Sequence, residues 1–253
     1  MTGATYLWQN FLNNPKIIEF IIQDIKDNCD LKLQNIEVWP WKCALTEYLW
    51  FVENLKLFEK DETFYEWLQK CINKKNIIMW DFLSANLEEH IKTNFFNCFW
   101  NLPYYITSPI FKKLTNPENK VKMKYWIFMI QKEVGEKIIN ESNKKTMLSF
   151  LLQYNYKITY LKTVPAKDFT PAPKVDSCLV RFEYTWWNDD LNFWELTRLL
   201  TVFTAYKRKT LWKIEKILQK QWHKIFIPEE LKSKRFTVLT FDEIRQIKLV
   251  ETK

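Results

Sequence analysis

Asn101-Leu102-Pro103-Tyr104-Tyr105 places an amide, a proline turn and two aromatic rings within one short stretch. The Asn101 side-chain oxygen and a carbonyl of the turn at Pro103 can accept both hydrogens of an exocyclic amine. That holds the amine nitrogen with its lone pair aimed at an electrophilic methyl group. Tyr104 offers a face on which a base taken out of its stack can lie. The attacking nitrogen is neutral, so no general base has to act first, in keeping with a chain that has only two histidines. Such catalysis is positioning plus polar stabilisation of a nitrogen that gains charge. The same residues also read as a proline turn capped by asparagine, with its aromatics in the core.

A second set lies upstream. Ile36-Glu37-Val38-Trp39-Pro40-Trp41-Lys42-Cys43-Ala44-Leu45 has the logic of a strand feeding a helix through a tight turn. With glycine at 39 and 41 it would be the loop of a nucleotide-type cofactor site, where glycine permits positive φ and lets backbone N–H groups approach the ligand. As written, two indoles stand there. Glu59, 20 residues after Trp39, ends the next strand and is placed to hold ribose hydroxyls. Asp81 follows the third strand and can accept from an adenine amino group. Acids after strands are also ordinary turn residues, and that reading stays open for both.

The elements that must position these groups alternate between strand and helix. Helices are expected over 17–25 (capped by Asn13 or Asn14, with Pro15 in the first turn), 44–55, 62–71 and 145–153. Strands are expected over 35–38, 56–58, 76–79, 95–99, 124–130, 156–163 and 177–184. This alternation predicts an α/β fold with a sheet covered on both faces. The polar residues singled out fall just past strand ends, where open α/β sheets bind ligands. After Tyr184 the pattern reads as helices only, over 191–205, 209–221, 228–231 and 241–250. Two domains are therefore expected, 1–187 and 188–253.

The net charge is +8. It is concentrated late: residues 206–224 hold seven basic side chains and one acid, Glu215. A local positive stripe points to a polyanion, although a solvated helix face would look the same. The five cysteines form no Cys-x-x-Cys pair, which argues against zinc and reads as separate thiols in a reducing compartment. No apolar run approaches the ~18 residues of a membrane span, and no basic-then-apolar leader opens the chain. A cytoplasmic monomer is expected.

The ordered motifs resemble a known family. They are Gln9-Asn10-Phe11-Leu12, the 36–45 loop, Glu59, Asp81-Phe82-Leu83, Asn101 to Pro109, Gln131-Lys132-Glu133-Val134, Phe169 to Ser177, and Arg208-Lys209-Thr210-Leu211. Together they are similar to the rRNA adenine N6,N6-dimethyltransferases, in the housekeeping small-subunit branch, from Leu7 to about Leu249. The resemblance implies a class I S-adenosylmethionine-dependent methyltransferase domain, with a Rossmann-like seven-stranded sheet, and a small helical C-terminal domain. It implies methyl transfer to N6 of two adjacent adenosines in the 3′-terminal hairpin loop of 16S rRNA, with a part in pre-30S maturation. Carried over by motif, Gln9, Asn10, Leu12, Trp39, Trp41, Glu59, Asp81, Phe82 and Asn101 would meet the cofactor. Asn101, Pro103 and Tyr104 would hold the target, and Phe169 would stack opposite Tyr104. Lys207, Arg208, Lys209 and Lys213 would meet rRNA phosphates.

The chain departs from the family where the family has glycine: at Trp8, Trp39 and Trp41, often at Trp80 and Trp100, and at Cys43. It has 13 Trp and 2 Gly in 253 residues, against roughly 18 Gly at the usual ~7%. One cause would explain the tryptophans together: a gene from a lineage that reads UGA as glycine, written out with UGA as tryptophan. Cys43 falls outside that explanation. The competing reading is a Trp-rich, non-catalytic RNA-binding assembly factor. A 23S rRNA adenine methyltransferase is the enzymatic rival, and a DNA adenine methyltransferase fits less well.

Overall fold

A computed structural model describes residues 10–101, 107–116, 119–139, 145–185, 192–220 and 224–250. The chain divides into two compact units. One holds residues 1–135 and 158–184, the other 136–157 and 185–253. The break after Tyr184 lies close to the expected boundary, but 136–157 groups with the C-terminal unit rather than with the first 187 residues. The sequence pattern does not reveal this, because the helix at Met147–Asn155 carries an ordinary apolar face whose partners come later in the chain.

The first unit opens with β1 (Phe11–Leu12) and α1 (Pro15–Asn28). Asn14 caps α1 by accepting from the Lys16 backbone N–H at 3.0 Å, and Pro15 supplies a first-turn residue that needs no hydrogen bond. The helix buries Ile17, Ile18, Ile21 and Ile25, one stripe at helical spacing. Then follow β2 (Gln34–Val38), β3 (Leu55–Glu59), α2 (Tyr65–Cys71), β4 (Ile77–Met79), α3 (Leu87–His90), β5 (Phe95–Asn101), α4 (Thr107–Leu114) and β6 (Lys122–Gln131). After α5 (Lys132–Ile138) and α6 (Met147–Asn155) come β7 (Tyr156–Val164), β8 (Phe169–Thr170) and β9 (Ser177–Tyr184).

Seven strands form one sheet in the order β4-β3-β2-β5-β6-β9-β7. Neighbours from β4 to β6 run parallel, and β9 is antiparallel to β6. The order reverses between β2 and β5, and such a switch point opens a crevice at the carboxyl ends of the strands. The register brings the important ends together. Val38 pairs with Phe58 and with Trp100, Glu59 with Met79, and Asn101 with Met129.

The helix expected over 44–55 is not formed. The chain makes turns and a single 3₁₀ segment, Thr46–Tyr48, closed by i→i+3 bonds such as Tyr48 N–H to Leu45 O at 2.9 Å. Burial explains the difference. Cys43, Thr46, Leu49, Val52 and Leu55 are buried at every third residue, a period that suits three residues per turn.

The second unit contains α6, α7 (Phe193–Ala205), α8 (Leu211–Lys220), β10 (Lys224–Phe226), α9 (Phe241–Arg245) and β11 (Lys248–Val250). Its core joins Phe150, Leu200, Phe203, Ile214, Phe236 and Ile244. The expectation of helices only is corrected here. β10 and β11 pair antiparallel, with Ile225 opposite Leu249, and α9 stops at Arg245. Three-residue strands carry too short an alternation to stand out from helical spacing.

Candidate cofactor and target site

The loop leaving β2 has a backbone few side chains accept. Trp39, Trp41 and Cys43 have φ of 53°, 49° and 64°. This left-handed region costs a residue with a Cβ about 1–2 kcal/mol, and for a bulky residue it is a genuine outlier. The Trp39 N–H donates to Phe58 O at 2.8 Å, which ties the loop to the end of β3. Both indoles point inward, each only 4% exposed.

Glu59 ends β3 beneath this loop and is 1% exposed. Its Oε1 accepts from the backbone N–H groups of Lys60 (2.9 Å) and Asp61 (3.0 Å). Its Oε2 is buried and no donor meets it at full hydrogen-bond geometry, although the Trp41 backbone N–H also faces the carboxyl. Burial pushes the carboxyl up to about 7, and the N–H groups of Asp61, Lys60 and Trp41 pull it back. A buried acceptor left open at a strand end is where a diol could bind.

Asp81 follows β4, and its Oδ1 accepts from the Leu83 N–H at 3.0 Å. Lys60 Nζ lies 3.9 Å from Asp81 Oδ2 and 5.7 Å from the centre of the Trp39 ring. Lys60 therefore lies between the Trp39 ring and the Asp81 carboxylate. Trp41 meets Phe11 edge-on at 5.5 Å. Leu12, Glu37, Trp39, Pro40, Trp41 and Met129 are among the walls of a pocket here. Asn10 is half-buried and adjoins β1.

Two expected residues present no free ring. Phe82 is buried against Phe58, edge-on at 5.5 Å, so its side chain belongs to the core. Phe169 is also buried, in β8 opposite Leu12, and does not offer an open stacking face. Gln9, Pro103, Tyr104 and Trp8 lie outside the described residues. Asn101 closes β5 by its backbone, while its side chain also lies outside them. In the second unit Lys207, Arg208 and Lys209 are exposed in the turn between α7 and α8, and Lys213 is exposed on α8.

Three features were not anticipated. Glu37 is buried in β2, accepts from Thr46 Oγ1 at 2.7 Å, and is pushed by burial up to about 8. An acid flanked by Ile36 and Val38 in a buried strand was the available signal. Asp24 on α1 accepts from Tyr125 (2.6 Å) and from Arg181 (2.8 Å). The reading of five separate thiols is also corrected: Cys43 and Cys71 form a disulfide that ties the loop to the end of α2. The two are 28 residues apart, and only the fold of β3 and α2 brings them together.

The sequence matches the ribosomal RNA adenine dimethylase family over residues 2–246. The chain belongs to this family. Relatives named ribosomal RNA small subunit methyltransferase A include one from Coxiella burnetii, 30% identical and covering 94% of this chain and 95% of its own. Another, from Fusobacterium nucleatum, is 36% identical over 70% of this chain and 67% of its own. One from Mycoplasmopsis pulmonis is 33% identical over 80% and 79%. Among solved structures, a dimethyladenosine transferase from Plasmodium falciparum has the same fold, with a TM-score of 0.72 at 24% identity over 92% of this chain and 94% of that one. The 23S rRNA methyltransferase ErmE also shares it, with a TM-score of 0.68 at 18% identity over 94% and 98%.

The methyl donor of the dimethylase family is S-adenosylmethionine. The left-handed loop and the open oxygen of Glu59 fit such a ligand. The indoles of Trp39 and Trp41 do not, because two large buried side chains stand in the loop itself, Trp41 against Phe11 and both in the pocket wall with Leu12, Glu37 and Met129. The loop backbone and the loop side chains thus disagree.

Proposed function

We propose that this protein transfers methyl groups from S-adenosylmethionine to N6 of two adjacent adenosines in the 3′-terminal hairpin loop of 16S rRNA, acting on the pre-30S particle. The observation that carries the reading is the buried, open oxygen of Glu59 under a left-handed loop at the switch point of the sheet. Asn101 ends β5, which pairs with β2 on the side away from Glu59 and β3. In this reading its amide and the turn at Pro103 hold the exocyclic amine, Tyr104 stacks on the base, and exposed Lys207, Arg208, Lys209 and Lys213 meet phosphates. Phe169 would join the stack only after being uncovered.

A second reading draws on the two buried indoles. A chain that keeps them would be an rRNA-binding assembly factor without methyl transfer. One experiment separates the two. Protein isolated from its own cells is incubated with labelled S-adenosylmethionine and, in separate reactions, with 30S particles that lack these methyl groups and with protein-free 23S rRNA. The proposal expects dimethyladenosine at two neighbouring 16S positions. Particle binding with no label incorporated supports the assembly factor, and label in 23S rRNA rejects both.

A further inference from the structure

The disagreement between loop backbone and loop side chains has a definite source. Trp39 and Trp41 both adopt left-handed backbone, at 53° and 49°, and both side chains are buried. Glycine enters that region without penalty, whereas a large side chain there is rare even once. Two tryptophans in one left-handed loop point away from chance, while Cys43 shares that backbone without sharing the cause.

The rest of the molecule repeats the pattern. Trp50 and Trp80 are 84% and 58% exposed, and Trp67, Trp194 and Trp212 are exposed as well. An indole carries a large apolar area that normally ends up mostly buried. Trp80 directly precedes Asp81, and its N–H closes a tight turn onto Ile78 O at 3.0 Å. Trp126 behaves differently. It is fully buried, stacks on Phe182 at 4.1 Å and meets Phe128 edge-on at 4.8 Å. Its ring packs as a core aromatic ring does. Among the described tryptophans, Trp126 packs in the core, five stand exposed, and Trp39 and Trp41 occupy backbone that suits glycine. With 13 Trp and 2 Gly, the two together come to about the usual share of glycine.

We infer that the polypeptide made in its own cells carries glycine at 39 and 41, from UGA codons read as glycine, and retains tryptophan at 126. With two hydrogens in place of two indoles, the loop keeps its backbone and the pocket lined by Leu12, Glu37, Trp39, Trp41 and Met129 widens. The inference stands on backbone geometry, burial and composition, and the methyl-transfer reading is left to its own test.

Peptide mass spectrometry of protein purified from the source cells decides the matter. The tryptic peptide Leu33–Lys42 is expected to be lighter than written, at each of positions 39 and 41, by the difference between an indolylmethyl group and a hydrogen. The peptide Tyr125–Lys132 is expected at its written mass. Tryptophan at either 39 or 41, or UGG at either codon, overturns the inference. A second measurement uses recombinant protein. The double variant Trp39→Gly, Trp41→Gly is expected to bind S-adenosylmethionine at least ~100-fold more tightly than the chain as written, by calorimetry. Equal or tighter binding by the chain as written counts against the inference. A native protein with both glycines that binds the cofactor yet methylates no rRNA would instead reject the proposed function while leaving this inference intact.

Discussion

Thr46 Oγ1 donates a 2.7 Å hydrogen bond to Glu37 Oε2, and both groups are buried under the loop that leaves β2. The hydroxyl supports the ionised carboxylate, yet burial outweighs it, and the carboxyl is pushed from 4.5 up to about 8. A carboxyl whose folded value is raised gives stability that is complete below its unfolded value and is lost as pH rises through the folded one. The melting temperature is therefore expected to fall between about pH 5 and pH 8. Glu37→Gln should flatten that fall and stabilise the protein at pH 8, since the amide oxygen still accepts from Thr46. Glu59, pushed up to about 7, leaves a smaller residual slope. Thermal melts of both forms across this range check the sign, and a wild-type curve that rises with pH would refute it.

Asp24 accepts from Tyr125 and Arg181 at once, which locks α1 to β6 and β9. Arg181 is further held by Glu183 at 3.2 Å. Removing the acid leaves a guanidinium and a phenol in a largely buried place. Asp24→Ala is expected to cost about 3–5 kcal/mol in denaturant unfolding. Asp24→Asn, which keeps an acceptor, should cost less, and equal losses would show that the charge, not the acceptor, holds the site together.

Gly135 is a glycine whose smallness is required by packing. A Cβ built on it would lie 2.2 Å from Cys178 Sγ and 3.4 Å from Val180 Cγ2. Gly135→Ala should destabilise by about 1–3 kcal/mol through overpacking. Adding Cys178→Ala removes the obstructing sulfur, so the double variant should recover part of the loss. A double-mutant cycle that shows no coupling would sink this account.

The exposed turn between α7 and α8 provides a test that needs no cofactor. Replacing Lys207, Arg208 and Lys209 together with alanine should weaken rRNA binding about equally for unrelated RNA sequences. The slope of log affinity against log salt should shrink by about 2, at ~0.7–0.9 per lost phosphate contact. An unchanged slope would place the phosphate contacts elsewhere.

The parallel core of the sheet was legible because its strands are buried and read as short apolar runs. Glu59 and Asp81 were legible because they fall directly after such runs. What escaped was set by distance or by period. Asp24 and Arg181 are 157 residues apart, so nothing local links them. Cys43 and Cys71 meet only through the fold. The 44–55 stretch has enough leucine to suggest a helix, yet it buries every third residue and follows a tighter path. β10 and β11 are too short to announce a strand, and α6 looks as if it belongs to its sequence neighbours.

β1 and β8 form a ribbon of two residues each, with Phe11 opposite Thr170 and Leu12 opposite Phe169. It is fastened further by Asn13, whose backbone N–H donates to Asp168 O and whose amide donates to the Thr170 hydroxyl. The segment expected to line the methyl donor and the phenylalanine expected to face the incoming base are thus rungs of one ladder. A backbone shift that carries Phe169 away breaks its pairing with Leu12, so the base-facing and donor-facing walls are stitched together by main-chain hydrogen bonds.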